Sequence, residues 1–406
     1  MDNSRYPMTG VKVIELATVV AAPSATRILA AYGAEVIKVE SLHGDDLRYV
    51  GGYFKTPCED YRNPTFTSQN SNKKLIALNL KDEESRAALF RLLQDADIFV
   101  TNLREDALGR LGLDYETLKG IYPGLIYAHL TGLGTAGPDA KAPGYDMTVF
   151  WGRIGALCDW SEDGGAPALP TYGFGDNATG MALLSGILMA LYGRSQTGNG
   201  TYVSTSLLAS GIWYSNDGLI HSQFIHAPQY RDLLHPPTMF NTVYRCGDGR
   251  WLTIYATAYD QFLPRFAKAM DMEDLLEDPR FQSYESLHAS GAIKEGVERC
   301  QKKFLQRTAS EWKQHLLENG LACEVAQHLQ DLCTDPQALA NDYVKSVEFV
   351  DGLSVTMANP PFVFSAYEAR PCVSCGPIGM DTESVLHRLG YTEEEIDSLR
   401  KRNAAL

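Results

Sequence analysis

The chain has 406 residues, 45% hydrophobic and 21% charged, with a formal net charge of −14. That is ordinary globular composition, long enough for two or three domains at roughly 100–200 residues each. The acidic balance argues against a nucleic-acid partner, so any phosphorylated ligand needs a local basic pocket.

In chain order, Val11–Leu16 is a short β-branched run and reads as a strand. A helix is expected from about Ser24 to Tyr32, with Pro23 suited to its first turn and Gly33 to its end. Val36–Val39 completes a βαβ unit. A second unit follows: strand Leu75–Leu80, an amphipathic helix over Asp82–Asp95, and strands Ile98–Val100 and Leu125–Leu130. This alternation predicts an α/β fold with a mostly parallel sheet. Thr131–Pro170 is rich in Gly, Pro and Ala and reads as long loops, which are often functional. An apolar helix at about Ala178–Tyr192 and a strand at Tyr202–Ser206 come next. Two strand-like runs between Asn241 and Tyr255 flank Gly247-Asp248-Gly249, a hairpin pattern, with helices beyond it such as Thr308–Asn319. Thr392 to Glu395 has the form of a capping box in a final helical pair.

No run approaches the ~20 apolar residues of a membrane span, and the start MDNSRYPMTG does not resemble a signal peptide, so no membrane partner and a cytoplasmic location are expected. The eight cysteines are scattered; Cys372 and Cys375 form one C-x-x-C without the second pair a zinc ribbon needs, so no metal is expected. The turn Thr18–Pro23 has no glycine, which removes the dinucleotide fingerprint, and neither a Walker A motif nor a G-x-S-x-G elbow occurs. The nine histidines show no H-E-x-x-H spacing; His221 and His226, the latter in an expected loop, suit surface or packing roles. The most informative segment is YGFGDNATGMA, Tyr172–Ala182. Asp176 stands there among Gly173, Gly175 and Gly180 at the start of the apolar helix. On local grounds Asp176 fits a helix cap. It also fits a reactive carboxylate, with Gly175 giving a ligand close access and helix N–H groups ready for an oxyanion. Pro143-Gly144-Tyr145-Asp146 is a turn signature, and Lys73, Lys74, Arg104 and Arg110 form either solvated faces or a local phosphate site.

Five ordered blocks resemble the type III CoA-transferase family, which includes formyl-CoA and carnitine CoA-transferases. They are GVKVIELATVVAAPSATRILAAYGAEVIKVE, NSNKKLIALNLK, DIFVTNLREDALGRLGLDYETL, GDNATGMALLSGILMALYGRSQTGNGTYVSTSL and VLHRLGYTEEEIDSL, spread over nearly the whole chain. The resemblance implies an interlocked homodimer, each subunit with a Rossmann-like large domain and a smaller α+β domain. The large CoA-binding and catalytic domain would span 1–225, the small domain 226–330, and a C-terminal segment, 331–406, would return to the large domain. It makes Asp176, the acid of G-D-x-x-x-G, the nucleophile. CoA contacts would come from Thr18, Val19, Val20 and Ala21, from Lys73 or Lys74, from Asn102, Leu103, Arg110 and Leu111, and from Tyr145 and Asp146. No permanent cofactor is implied: a coenzyme A thioester is substrate.

Two departures matter. The family's G-G-G-G active-site loop has no counterpart, and the residues after the aspartate differ from those of the formate–oxalate branch. The opening and middle blocks are closer to the branch acting on 2-hydroxy acids in amino-acid fermentation, such as phenyllactate and 2-hydroxyisocaproate, with a 2-enoyl-CoA as donor. The rivals are an α-methylacyl-CoA racemase-like enzyme and a non-catalytic CoA-binding protein. Racemases carry Gly-His-Asp where this chain has Gly144-Tyr145-Asp146, and tyrosine, with a pKa near ~10, replaces histidine poorly as a base. Trp151, Trp160, Trp213 and Met239 are expected either to line the acid pocket or to pack in the core.

Overall fold

Short β-branched runs with both faces covered build a parallel sheet. Its strands are β1 (Lys12–Leu16), β2 (Glu35–Glu40), β3 (Lys74–Ala77), β4 (Ile98–Thr101), β5 (Ile126–Thr131) and β6 (Tyr202–Ser206), in the order β3-β2-β1-β4-β5-β6. Every neighbouring pair is parallel. One face, with Val13, Val36, Val100 and Ala128, packs on helix α1 (Ala21–Ala31) and on the Phe174–Thr197 helix. The other face, with Ile14, Val39, Phe99 and Tyr127, is covered by Leu89 and Leu92 and by the C-terminal Leu386, Ile396 and Leu399. In such a sheet the strand order reverses between β1 and β4, and ligands bind outside the carboxyl ends of the strands at that point.

The computed structural model describes residues 5–162, 165–224 and 236–406. His226, read as a loop residue, lies outside them. The chain divides into two compact units. The first comprises Met1–Ala156, Leu169–Gln223 and Asp335–Leu406 and holds the parallel sheet. The second comprises Leu157–Ala168 and Phe224–Thr334. It contains the expected hairpin, β7 (Thr242–Arg245) against β8 (Trp251–Ile254), and a third strand, β9 (Cys323–Val325), too short to show in the sequence. Its core gathers Met239, Phe240, Tyr244, Phe266, Phe304 and Trp312.

Three further differences from the sequence reading have physical causes. The stretch expected as long loops contains a π-helical segment, Asp146–Arg153, whose spacing has no 3.6-residue signature. A second hairpin, Val344–Glu348 with Ser354–Ala358, went unrecognised because its strands alternate weakly. The apolar helix is longer than expected, Phe174–Thr197, and by length and composition alone it could cross a membrane, although no such run was expected. Its Leu183, Leu184 and Ile187 are buried against the α1 face, which is how a core helix passes the same test. The capping box at Thr392 is present, with Glu395 Oε2 accepting the Thr392 N–H at 2.8 Å.

Candidate active site

The Phe174–Thr197 helix opens on Gly173, in the left-handed region at φ 76°, and has no side-chain cap of its own. Its cap comes from another segment. Asp146, at the head of the π-helical segment, accepts the Gly175 N–H at 3.2 Å, and the N–H groups of Gly173 and Asp176 also turn toward it. Asp176 is therefore not the cap that local sequence suggests. Among the described residues, no hydrogen bond to its carboxylate is found, though it is only 8% exposed. The Gly175 N–H, which could have met an oxyanion, is taken by Asp146.

The glycines of G-D-x-x-x-G explain how the site is assembled. A Cβ on Gly175 would overlap Phe150 and the Asp146 carboxylate, so this glycine admits the chain's own side chains rather than a ligand. A Cβ on Gly180 would overlap Ser24 Oγ and the Ala21 carbonyl, so this one lets α1 approach the Phe174–Thr197 helix. Gly132 and Gly144 likewise pass each other backbone to backbone.

Burial raises the Asp176 carboxyl, and the Asp146 charge adds to it, bringing it to about 7. Burial raises Asp146 too, opposed by the N–H groups it caps and by Trp151. Two like charges share one dry corner, which is where a reactive carboxylate is expected. Tyr172 lies among three acids; burial first, then Asp176, Asp146 and Asp45, push its phenol up to about 12. Asn177, next to Asp176, lines a cleft of about 350 Å³ with Ser24, Arg27, Gln69 and Met181.

Facing this corner is the turn Thr18–Ala21. Asn102 grips it at the β1/β4 switch point: Thr18 N–H donates to Asn102 Oδ1 at 3.0 Å, and Asn102 Nδ2 donates to the Thr18 carbonyl at 2.8 Å. The first turn of α1 carries no side-chain cap. Under the turn lies a buried ion network. Lys38 Nζ meets Glu15 and Asp45, each at 2.8 Å, and Lys73 Nζ meets Glu15 at 2.7 Å. Burial alone would raise Glu15, but the two lysines outweigh it and hold it at about 2. Burial pulls Lys73 down to about 8 against the attraction of Glu15.

The chain matches the family described as CoA-transferase family III over residues 8–382. It belongs to that family. Accordingly it is a CoA-transferase. It is 36% identical to (R)-2-hydroxy-4-methylpentanoate CoA-transferase of Clostridioides difficile, over 97% of this chain and 98% of the relative. It is 38% identical to cinnamoyl-CoA:phenyllactate CoA-transferase of Clostridium sporogenes, over 99% and 98%. Among solved structures, a CAIB/BAIF family protein from Brucella suis superposes with a TM-score of 0.80 at 26% identity, covering 95% of this chain and all of that one.

Within the transferase, the structure brings Thr18–Ala21, Asn102, Asp146 and Asp176 to one end of the sheet. Lys73 lies elsewhere than a phosphate site requires: its ammonium is buried, with Glu15, the Pro23 carbonyl and Asn70 Oδ1 around it. Lys74 pairs with Glu35 at 2.7 Å, and Arg110 pairs with Asp106 at the surface. Leu103 and Leu111 are half-buried against the sheet core. Tyr145 is 68% exposed. Trp151 is buried against Phe150 and Phe174 in the site, whereas Met239 belongs to the second unit's core and Trp160 and Trp213 are exposed. Sequence reading missed Asp45 and Tyr172. Asp45 follows Gly44 in a polar run with no local pattern, and only the tertiary fold carries it under the turn.

Proposed function

We propose that the transferase moves CoA from a 2-enoyl-CoA to a 2-hydroxy acid such as 2-hydroxyisocaproate or phenyllactate, with Asp176 as covalent nucleophile. One observation carries the reading: a buried, unbonded carboxylate raised to about 7, facing the turn that the family uses for CoA. The substrate class is supported by the two 2-hydroxy-acid transferases that the chain matches end to end.

Ionised Asp176 attacks the acyl carbonyl carbon; the C–S bond breaks and CoA leaves as thiolate, giving a mixed anhydride. The thiolate attacks the Asp176 carbonyl carbon, the anhydride C–O bond breaks, and the first acid departs as carboxylate. The incoming carboxylate attacks the aspartyl thioester and expels the thiolate. The thiolate then attacks the new acyl carbonyl, releasing acyl-CoA and the Asp176 carboxylate. In a shorter route the incoming acid attacks the first anhydride directly. Uncapped N–H groups in the first turn of α1 supply the oxyanion donors that the catalytic helix has committed to Asp146. Burial of Asp176 keeps water from the anhydride. CoA contacts are assigned to Thr18–Ala21, Asn102, Leu103, Arg110, Leu111, Tyr145 and Asp146, and Lys73 to support beneath the turn.

The homodimer belongs to the same proposal. Leu188, Met189, Tyr192, Ile212, Trp213 and Tyr214 are all exposed on neighbouring helices of the first unit, apolar surface that a partner subunit would cover. Expected substrates are read by mass spectrometry from a panel of 2-hydroxy, 2-enoic and dicarboxylic acids against their CoA esters. Preference for dicarboxylates would overturn the substrate assignment while leaving CoA transfer intact.

A further inference from the structure

Val19 is the one β-branched residue at positive φ among the described residues, at 65°. A Cβ-branched side chain in the left-handed region is a genuine outlier, and such strain persists only where the surroundings over-determine it. Here the surroundings are on view. The Val19 N–H donates to Asp45 Oδ1 at 2.9 Å, and the same oxygen accepts the Leu47 N–H at 2.9 Å. Asp45 is 1% exposed, and its other oxygen meets Lys38 Nζ at 2.8 Å. Lys38 is anchored in turn on Glu15 and, at 2.7 Å, on the Ala17 carbonyl, one residue before the turn. Glu15 is held by Lys73, which also binds the Pro23 carbonyl at 2.9 Å, just after the turn. The buried charges thus grip the backbone before, within and after Thr18–Ala21.

The held turn points at the chemistry. Val20 approaches Gly173, which opens the catalytic helix, and the Ala21 carbonyl abuts Gly180. A network of two carboxylates and two ammonium groups, buried to this degree, is weak evidence for stability, because desolvation offsets much of the attraction. It fixes one geometry instead.

We propose that Asp45 is a positioning residue for CoA transfer: backed by Lys38, Glu15 and Lys73, it forces Val19 into the left-handed region and thereby aims the start of α1 at Asp176. This rests on the reading that the Thr18–Ala21 turn serves the CoA thioester at Asp176. Glycine adopts the left-handed region without strain, so the force Asp45 exerts matters only while residue 19 is β-branched.

The test is a double-mutant cycle on the full-length protein. Asp45→Asn is made in the wild-type and in the Val19→Gly background, and kcat/KM for acyl-CoA and the thermal midpoint are read in each. The expected penalty of Asp45→Asn is about 10–100-fold in kcat/KM beside valine, as for a misplaced positioning group, and at most a few-fold in the Val19→Gly background. The thermal penalty is smaller beside valine, where the substitution also releases the backbone strain, than beside glycine, the opposite sense to the kcat/KM penalty. Asp45→Glu, which keeps the buried charge but displaces the acceptor of the Val19 N–H, gives the same background dependence and stands in if Asp45→Asn does not fold. Equal kcat/KM penalties in both backgrounds, or none in either, would overturn the proposal. Failure of the Asp176 assignment shows separately, as transfer that survives Asp176→Ala.

Discussion

Two groups of buried charge lie at the same end of the parallel sheet, and they are built on opposite principles. Under the Thr18–Ala21 turn, Glu15, Asp45, Lys38 and Lys73 alternate in sign, every anion touching a cation. In the corner around Asp176, Asp146 and Asp176 are both acids, and burial and mutual repulsion push Asp176 to about 7. Among the described residues neither of these two has an ion-pair partner. Compensated charge holds a backbone still; uncompensated charge stores reactivity. The difference supports the proposal that the first group is scaffold and the second chemistry.

Removing the reactive carboxylate has the largest expected effect. Asp176→Ala lowers transfer on the order of 10⁴-fold, the usual loss of a covalent nucleophile, while CoA binding measured by calorimetry persists. Breaking the compensated group acts on folding instead. Glu15→Gln leaves Lys73 buried without its anion and Lys38 with Asp45 alone, and costs about 3–5 kcal/mol in chemical denaturation. A loss below about 1 kcal/mol would show that the network holds less than its geometry implies.

The uncompensated acid has the reverse signature. The folded value of Asp176, about 7, lies above its ordinary 3.8, so the folded state holds the proton more tightly. The stability this contributes is complete below the ordinary value and is lost as pH rises through the folded one. Asp176→Asn should therefore be more stable than the wild type by up to about 4 kcal/mol at pH 8, with the gap vanishing below the ordinary carboxyl value. A gap that does not change with pH would contradict the raised value. For the same reason kcat/KM should rise with pH through an acid limb near 7. Asp146→Asn should move that limb down by roughly one pH unit, as expected on removing a neighbouring like charge. The smallest effect is expected at the surface: Arg110→Ala leaves the thermal midpoint unchanged and raises KM for acyl-CoA about three- to tenfold at low salt, since its pair with Asp106 is exposed.

Much of this architecture is legible in the sequence. The strands of the parallel sheet announce themselves as β-branched runs, and Tyr202–Ser206 coincides with its predicted bounds. The glycines around Asp176 mark the start of the Phe174–Thr197 helix. What stays hidden is long-range. Local sequence assigns the helix cap to Asp176, because nothing nearby reveals that Asp146, 30 positions earlier, reaches across to cap it. Lys73 looks like a surface cation beside Lys74, yet it stands just before β3 and enters the ion network, while Lys74, the first residue of the strand, pairs with Glu35. Asp45 has no motif at all; its role exists only where the fold brings it under Val19.

The most direct test of the central claim is to incubate the protein with cinnamoyl-CoA, quench with hydroxylamine and map the modified residue by peptide mass spectrometry. A hydroxamate on Asp176, absent without acyl-CoA, is the predicted result. Turnover with Asp176 unmodified and the label on another residue would contradict it.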